Sequence, residues 1–413
     1  MRTNVILAAF FFATQVWAQF TGNNQTNTIS GVTSNWTGSY YVGSNYVFDA
    51  LLIQNGAALT NFGGYIGYTP AASNNVAVVS RTGSVWNATG DVMIGVAGSS
   101  NRLVVSNGGR VTSVNGYIGL NVSAKNNSAL VTGTGAIWSN RYNLYLGYSS
   151  GSDGNSLIVS NGGEVVAGVT VGIRPFSGAQ VRLTIDGGTL TANHSLELIG
   201  STTRLFFNAG QINSAGTFVT NTQQFVVGNG IGSANFHLLD GTHSFNNGLR
   251  ISSNSFLTGC GAINGIVAID AGGSVRVDCG GGSLWFNTGL TNNGIIHVQN
   301  GSVLFAFGLV NNGIIDLTDG TAYITGLINN GTIVNASDLR VTSITQEGDD
   351  IRISWPTLGG RTYVVQSSPT LGGFTDLSPA IVIPGASLST TTYLDLGGAT
   401  NAPSRFYRIR LAP

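Results

Sequence analysis

The chain has 413 residues, a formal net charge of +0 at pH 7 and only 8% charged residues, against a usual share of about 25%. It carries no basic stripe of the kind that nucleic acid or an anionic membrane attracts, and its 42% apolar content argues against disorder. After the N-terminus no run of about eighteen apolar residues occurs, so no membrane-spanning segment is expected in the mature chain.

The first residues read as an export signal, 1–18. Arg2 supplies the positive start, "VILAAFFFATQVWA" the apolar core, and Val16-Trp17-Ala18 a small-residue cleavage site. The expected product is secreted or displayed at the cell surface, where its two cysteines meet an oxidising compartment. Residues 19–48, with the aromatic-rich "NWTGSYYVGSNYVF", are expected to form an N-terminal cap, with stacking on carbohydrate as the other use of their rings.

Repeats occupy 49–337. The segments "LLIQNGAALTN", "VAVVSRTGSVWN", "RLVVSNGGRVTS", "SALVTGTGAIWSN" and "SLIVSNGGEVVA" align with Ala57, Gly83, Gly109, Gly135 and Gly163 in register, at spacings of 26, 26, 26 and 28. A second block follows each: "GYIGY", "DVMIGV", "GYIGL", "NLYLGY" and "GVTVGI". Trp86 and Trp138 mark alternate copies, which makes a super-period near 52. Within each copy, apolar residues alternate in short runs separated by Asn, Gly and Ser, the mark of short strands joined at turns. One repeat per coil of a β-solenoid fits this pattern, with glycine and asparagine at corners that require positive φ. From about 245 the coil shortens, because "GLTNNGIIHV", "GLVNNGIIDL" and "GLINNGTIVN" place Gly294, Gly313 and Gly331 at spacings of 19 and 18. The segment "GNGIGSAN" (228–235) lacks the βαβ context of a dinucleotide fingerprint.

The alternation of "LVVSNGGRV…GYIGL" with "ALVTGTGAIWSN…NLYLGY" resembles the repeats associated with type V secretion and PEP-CTERM proteins of bacteria, over roughly 49–190. That resemblance implies an exported, autotransporter passenger-like and often adhesin-like protein, and a right-handed parallel β-helix. Near Asp338 the composition changes. Trp355 in "IRISW", Tyr363 and Tyr407, with strands expected at 351–355, 362–367 and 405–411, resemble a fibronectin type III-like β-sandwich over 338–413. The expected fold is therefore all-β, a right-handed parallel β-helix followed by a small β-sandwich.

Chemistry is sparse. Cys260 and Cys279 lie 19 residues apart, one coil in this region. Neighbouring coils are about 4.8 Å apart and a disulfide spans Cα atoms by roughly 4.4–6.8 Å, so a bridge is expected. His194, His237, His243 and His297 show no metal-ligand spacing and are expected on strand surfaces. No cofactor and no metal are expected. An enzyme of the polysaccharide lyase or hydrolase kind would need clustered carboxylates with a basic residue, for which Asp270 and Asp278 with Arg276, or Asp316 with Asp319, are the candidates. Arg81, Arg102, Arg110 and Arg141 stand at non-equivalent positions and read as solvated faces. The alignment shows no ladder of aromatic or acidic residues on an outer face, which favours a non-catalytic structural or adhesin-like protein over a polysaccharide-binding or polysaccharide-degrading one. Extracellular polysaccharide or cell-surface components are the expected partners.

Overall fold

A computed structural model describes residues 20–174, 179–338, 340–385, 387–401 and 404–412; the expected export signal lies outside them. The fold is nearly all β, with 57% strand and no α-helix among the described residues, and consists of a parallel β-solenoid of about 12 turns followed by small antiparallel sheets. The chain divides into two compact units at Leu249/Arg250.

In the first unit each regular coil is three short strands. One coil comprises Arg102–Ser106, Arg110–Ser113 and Gly116–Ile118. Its first strand pairs in parallel with Val76–Ser80 on one side and Ser128–Thr132 on the other. Leu103 thus lies between Ala77 and Ala129, and Val105 between Val79 and Val131, all fully buried. The two-residue period of a strand sends these side chains inward and their neighbours outward. The corner between the first two strands is made by Asn107 (φ 50) and Gly108 (φ 84), the residue types that enter the left-handed region at least cost.

The super-period of the sequence has a packing cause. In the second strands Leu59, Trp86, Val111, Trp138 and Val165 stack in register and are all buried. In the third strands Gly64, Val92, Gly116 and Leu144 stack likewise. The two coils with tryptophan carry Val92 and Leu144 in the third strand, and the coil before each carries glycine, Gly64 and Gly116. Each indole fills space that glycine leaves: a Cβ on Gly64 would fall 2.5 Å from Trp86, and one on Gly116 2.7 Å from Trp138. Each indole N–H is also used, Trp86 donating to Asn61 Oδ1 at 2.7 Å.

Inside one corner runs an asparagine ladder. Asn75, Asn101 and Asn127 each donate backbone N–H and side-chain Nδ2 to the Oδ1 of the next member, at 2.8–3.2 Å, ending on Asn155. Asp49 stands first in this row, its backbone N–H donating to Asn75 Oδ1 at 2.9 Å.

The stretch read as an N-terminal cap contains Thr26–Ser30, Thr33–Asn35 and Tyr40–Val42, which pair in register with the strands of the following coil. It is itself a coil. Beyond 180 the coils merge strands: Val181–Ala192 and Thr203–Ser214 are 12 residues each, and the former spans partners that are two separate strands in the preceding coil.

In the second unit the coils run through Ser255–Asn264, Ser274–Asp278 with Ser283–Phe286, Ile295–Phe305 and Ile314–Ile324, all paired in parallel. The 19- and 18-residue spacings correspond to Leu290, Leu309 and Leu327 in register. Then follow two small antiparallel sheets. One holds Ser343–Glu347, Asp350–Leu358 and Leu388–Asp395; the other holds Thr362–Ser368 and Phe406–Ala412 with two short strands. Ile353 and Trp355 of the first pack with Tyr363 and Val365 of the second in one fully buried cluster.

Candidate functional site: a tyrosine face and a basic cleft

The third strands carry the most chemically distinctive surface of the first unit. Their middle residues point outward between two buried neighbours. In register from coil to coil these residues are Tyr41, Tyr65, Met93, Tyr117, Tyr145 and Gly172. Tyr41 and Tyr65 stack with ring centroids 5.1 Å apart, and Tyr117 and Tyr145 lie 5.7 Å apart. Tyr68 packs edge-on against both members of the first pair, and Tyr148 against both members of the second. Tyr68 and Tyr148 remain 40% and 44% exposed. Two tyrosine triads therefore stand on one face, separated by Met93.

A polar row flanks them. Asn115 donates from its backbone and Nδ2 to Asp91 Oδ1 at 3.0 and 2.9 Å, and Asn143 donates in the same way to Asn115 Oδ1. Burial, with Asp91 and the neighbouring rings adding to it, pushes the Tyr117 phenol up to about 12. Burial likewise raises Tyr65 and Tyr145. These hydroxyls stay protonated at neutral pH and can donate hydrogen bonds. Beside Tyr148 a shallow depression of about 450 Å³ is bounded by Val122, Ser149, Ser150 and Arg174. The Arg174 guanidinium sits 5.7 Å from the Tyr145 ring and pairs with Glu197.

The expectation that no aromatic ladder exists is corrected by this register. The blocks "GYIGY", "GYIGL" and "NLYLGY" already hold Tyr65, Tyr117 and Tyr145 at one aligned position. The signal was legible, because strand alternation turns the residue between two inward ones toward solvent.

The second unit holds a cleft of about 410 Å³ between its coils and its antiparallel sheets, lined by residues including Phe256, Arg276, His297, Gly360 and Gly385. Arg276 and His297, which line it, and Asp316 stand in register on successive coils. Asp316 is fully buried. Its Oδ2 accepts from His297 Nδ1 at 3.0 Å and Arg361 Nε at 2.7 Å, and its Oδ1 from the Thr318 hydroxyl at 2.6 Å. Burial by itself would push this carboxyl up, but hydrogen bonds from His297 and Thr318 and the charge of Arg361 hold it at about 2. With Nδ1 committed to Asp316, Nε2 is the His297 nitrogen left for the cleft.

The catalytic candidates read from the sequence are dispersed. Asp270 follows the strand Val267–Ile269 and is held by Arg250, whose Nε lies 2.9 Å from its Oδ2. Arg276 and Asp278 are both exposed on Ser274–Asp278, but no ion pair joins them among the described residues. The Arg276 guanidinium instead lies 4.6 Å from the Phe256 ring centroid. Asp316 is buried while Asp319 is exposed, so they form no pair of catalytic acids. Cys260 and Cys279 are disulfide-bonded across neighbouring coils with Cα atoms 5.6 Å apart.

Two histidines differ from the surface reading. His297 is largely buried at the lining of the cleft, and His243 is fully buried. His237 and His243 lie six apart, a spacing that would put both on one face of a straight strand. Their strand, Ala234–Phe245, turns a corner at Asp240 (φ 78), so His237 stays outward and His243 turns in. His243 Nε2 donates to the Asp240 carbonyl at 3.0 Å, and Nδ1 accepts from the Thr217 hydroxyl at 2.9 Å. Burial pushes its pKa down to about 4, which suits a neutral structural histidine. His194 is exposed.

A comparison with protein-family models finds no match, and neither does a comparison with curated proteins. Among the described residues no helix is long and apolar enough to cross a membrane.

Proposed function

We propose that this is an exported, non-catalytic β-solenoid, adhesin-like in role, that binds extracellular polysaccharide through its tyrosine face. The observation that carries the reading is the recurrence of Tyr41, Tyr65, Tyr117 and Tyr145 at one outward register position. Tyrosine combines a large apolar ring with a hydroxyl that hydrogen-bonds, which makes it a residue of interfaces where one end stays wet. Exposed apolar patches rimmed by polar groups mark binding surfaces. A polymer of sugar rings offers both kinds of group repeatedly, as this face does.

Export is supported by the leader-like start of the sequence and by a disulfide suited to an oxidising compartment. The resemblance of 49–190 to type V secretion and PEP-CTERM-associated repeats points the same way, with a fibronectin type III-like module as an accessory at 338–413. A non-catalytic role is supported by the acids: Asp316 is saturated by donors, Asp270 is held by Arg250, and Asp278 stands alone.

The test is electrophoresis of the mature chain through native gels cast with different polysaccharides, followed by staining of the polymer. Retardation without a cleared zone is expected. Replacing Tyr117 and Tyr145 together by Ala should weaken it by about tenfold, given about 0.5–1.5 kcal/mol for each ring contact. Unchanged retardation in that variant would refute the tyrosine face as the binding surface, and a cleared zone would refute the non-catalytic reading.

A further inference from the structure

The cleft in the second unit contains a positive charge that the protein does not neutralise. Arg276 is exposed, rests on the Phe256 ring, and makes no hydrogen bond or ion pair among the described residues. Two of the nearby carboxylates, Asp316 and Asp270, are committed to other partners. Asp316 is fully buried and shared by His297, Arg361 and Thr318. Asp270 is bound by Arg250. Asp278 lies two residues along the strand from Arg276, about 7 Å away, and forms no ion pair with it. His297 stands beside Arg276 in register, its ring fixed by Asp316 through Nδ1. The pair is thus a planar, preoriented donor fork next to an anchored imidazole, in a cleft large enough for a sugar residue.

We propose that this cleft binds the carboxylate of a uronic-acid-containing polysaccharide, with Arg276 as the anion clamp and His297 as the neighbouring polar contact. The inference rests on the glycan-binding reading and adds a substrate class to it. A guanidinium matches a carboxylate with two parallel hydrogen bonds, and a guanidinium already stacked on an aromatic ring loses little further freedom on binding. Arg361 supplies no second clamp, because its own charge is taken up by Asp316. The site lies in the second unit, whereas the tyrosine face lies in the first, so the chain offers one surface for sugar rings and another for an acidic group.

The test compares polygalacturonate, alginate and hyaluronan with methyl-esterified polygalacturonate in native affinity gels of the mature chain. Arg276→Ala should weaken retardation by the acidic polymers about tenfold, as expected for loss of a charged hydrogen bond. Arg276→Lys should restore part of it. Its effect should be confined to the acidic polymers, whereas the Tyr117/Tyr145 double variant should weaken the esterified polymer as well. Labelling of arginine by phenylglyoxal, read by peptide mass, provides a second measurement: oligogalacturonate should protect Arg276 in the wild type. Equal loss on esterified and acidic polymers, no loss in Arg276→Ala, or labelling of Arg276 unaffected by oligogalacturonate would each overturn the proposal. Acidic-polymer binding that depends on Arg276 in a protein indifferent to the esterified polymer and to the tyrosine variants would uphold this site and refute the tyrosine face.

Discussion

Replacing Asp49 by Asn should stabilise the first coils at neutral pH. Asp49 heads the asparagine ladder and is fully buried. Its Oδ1 accepts from the Gln25 backbone N–H at 2.9 Å, but its Oδ2 has no hydrogen-bond partner. Elsewhere in the row that second position is Nδ2, which donates to the next Oδ1 at 3.0–3.2 Å. An ionised Asp49 therefore presents an acceptor where the ladder needs a donor. Burial raises its pKa, and the Gln25 N–H offsets this only in part. A carboxyl whose folded pKa is raised contributes most below its unfolded value of about 3.9, and that contribution is lost as pH rises through the folded pKa. Asn at this position would keep the Gln25 contact and complete the row. An unsatisfied buried acceptor costs about 1–3 kcal/mol, so a gain of that order is expected near pH 7 and a smaller one near pH 4. Native-state hydrogen exchange of amides in 25–66, corrected for intrinsic rates, isolates the effect in a repeat structure that opens locally. Equal or lower protection in Asp49→Asn at neutral pH, or the same pH slope in both proteins, would refute the reasoning.

Gly116→Ala should destabilise the first unit by about 1–3 kcal/mol through overpacking, since the new Cβ would meet Trp138 at 2.7 Å and the Leu144 side chain at 2.8 Å; urea unfolding followed by tryptophan fluorescence would show it, and an unchanged midpoint would contradict the packing account. In the second unit, Asp316→Asn should cost about 3–5 kcal/mol because it leaves the Arg361 charge buried without its partner. The Asp316 carboxyl is held at about 2, so its contribution is present above about pH 4 and is lost as pH falls toward 2. Acid unfolding of the wild type should therefore show a transition in that window that Asp316→Asn lacks.

Much of this architecture was legible because solenoid coils repeat their own environment. Leu103 and Val105 meet the same kinds of residue above and below, so one alignment predicts the core, the corners and the coil length together. The tyrosine face is present in the same alignment, but its significance depends on which strand residue turns outward. The cleft was legible only in part. His297 and Asp316 share one aligned position in "GLTNNGIIHV" and "GLVNNGIIDL", but Arg276 joins them from a coil of different spacing, and Arg361 reaches Asp316 from 45 residues away.

The sequence by itself determined the repeating β architecture, because an in-register stack satisfies each coil with the residues of the next, and a period of 26 residues records that directly. It also determined the alternation of coil types, although the reason lay in volume: an indole needs a glycine in the neighbouring coil. Only the tertiary structure decided which way His243 faces, because left-handed residues at Asp240 and Gly241 reverse the inside and outside of a strand. Only it decided the fate of Asp316, which His297 and Thr318 of the coils share with Arg361, a loop residue from beyond the solenoid. Contacts that repeat are written into spacing; contacts made once, between segments with no shared period, are decided by folding.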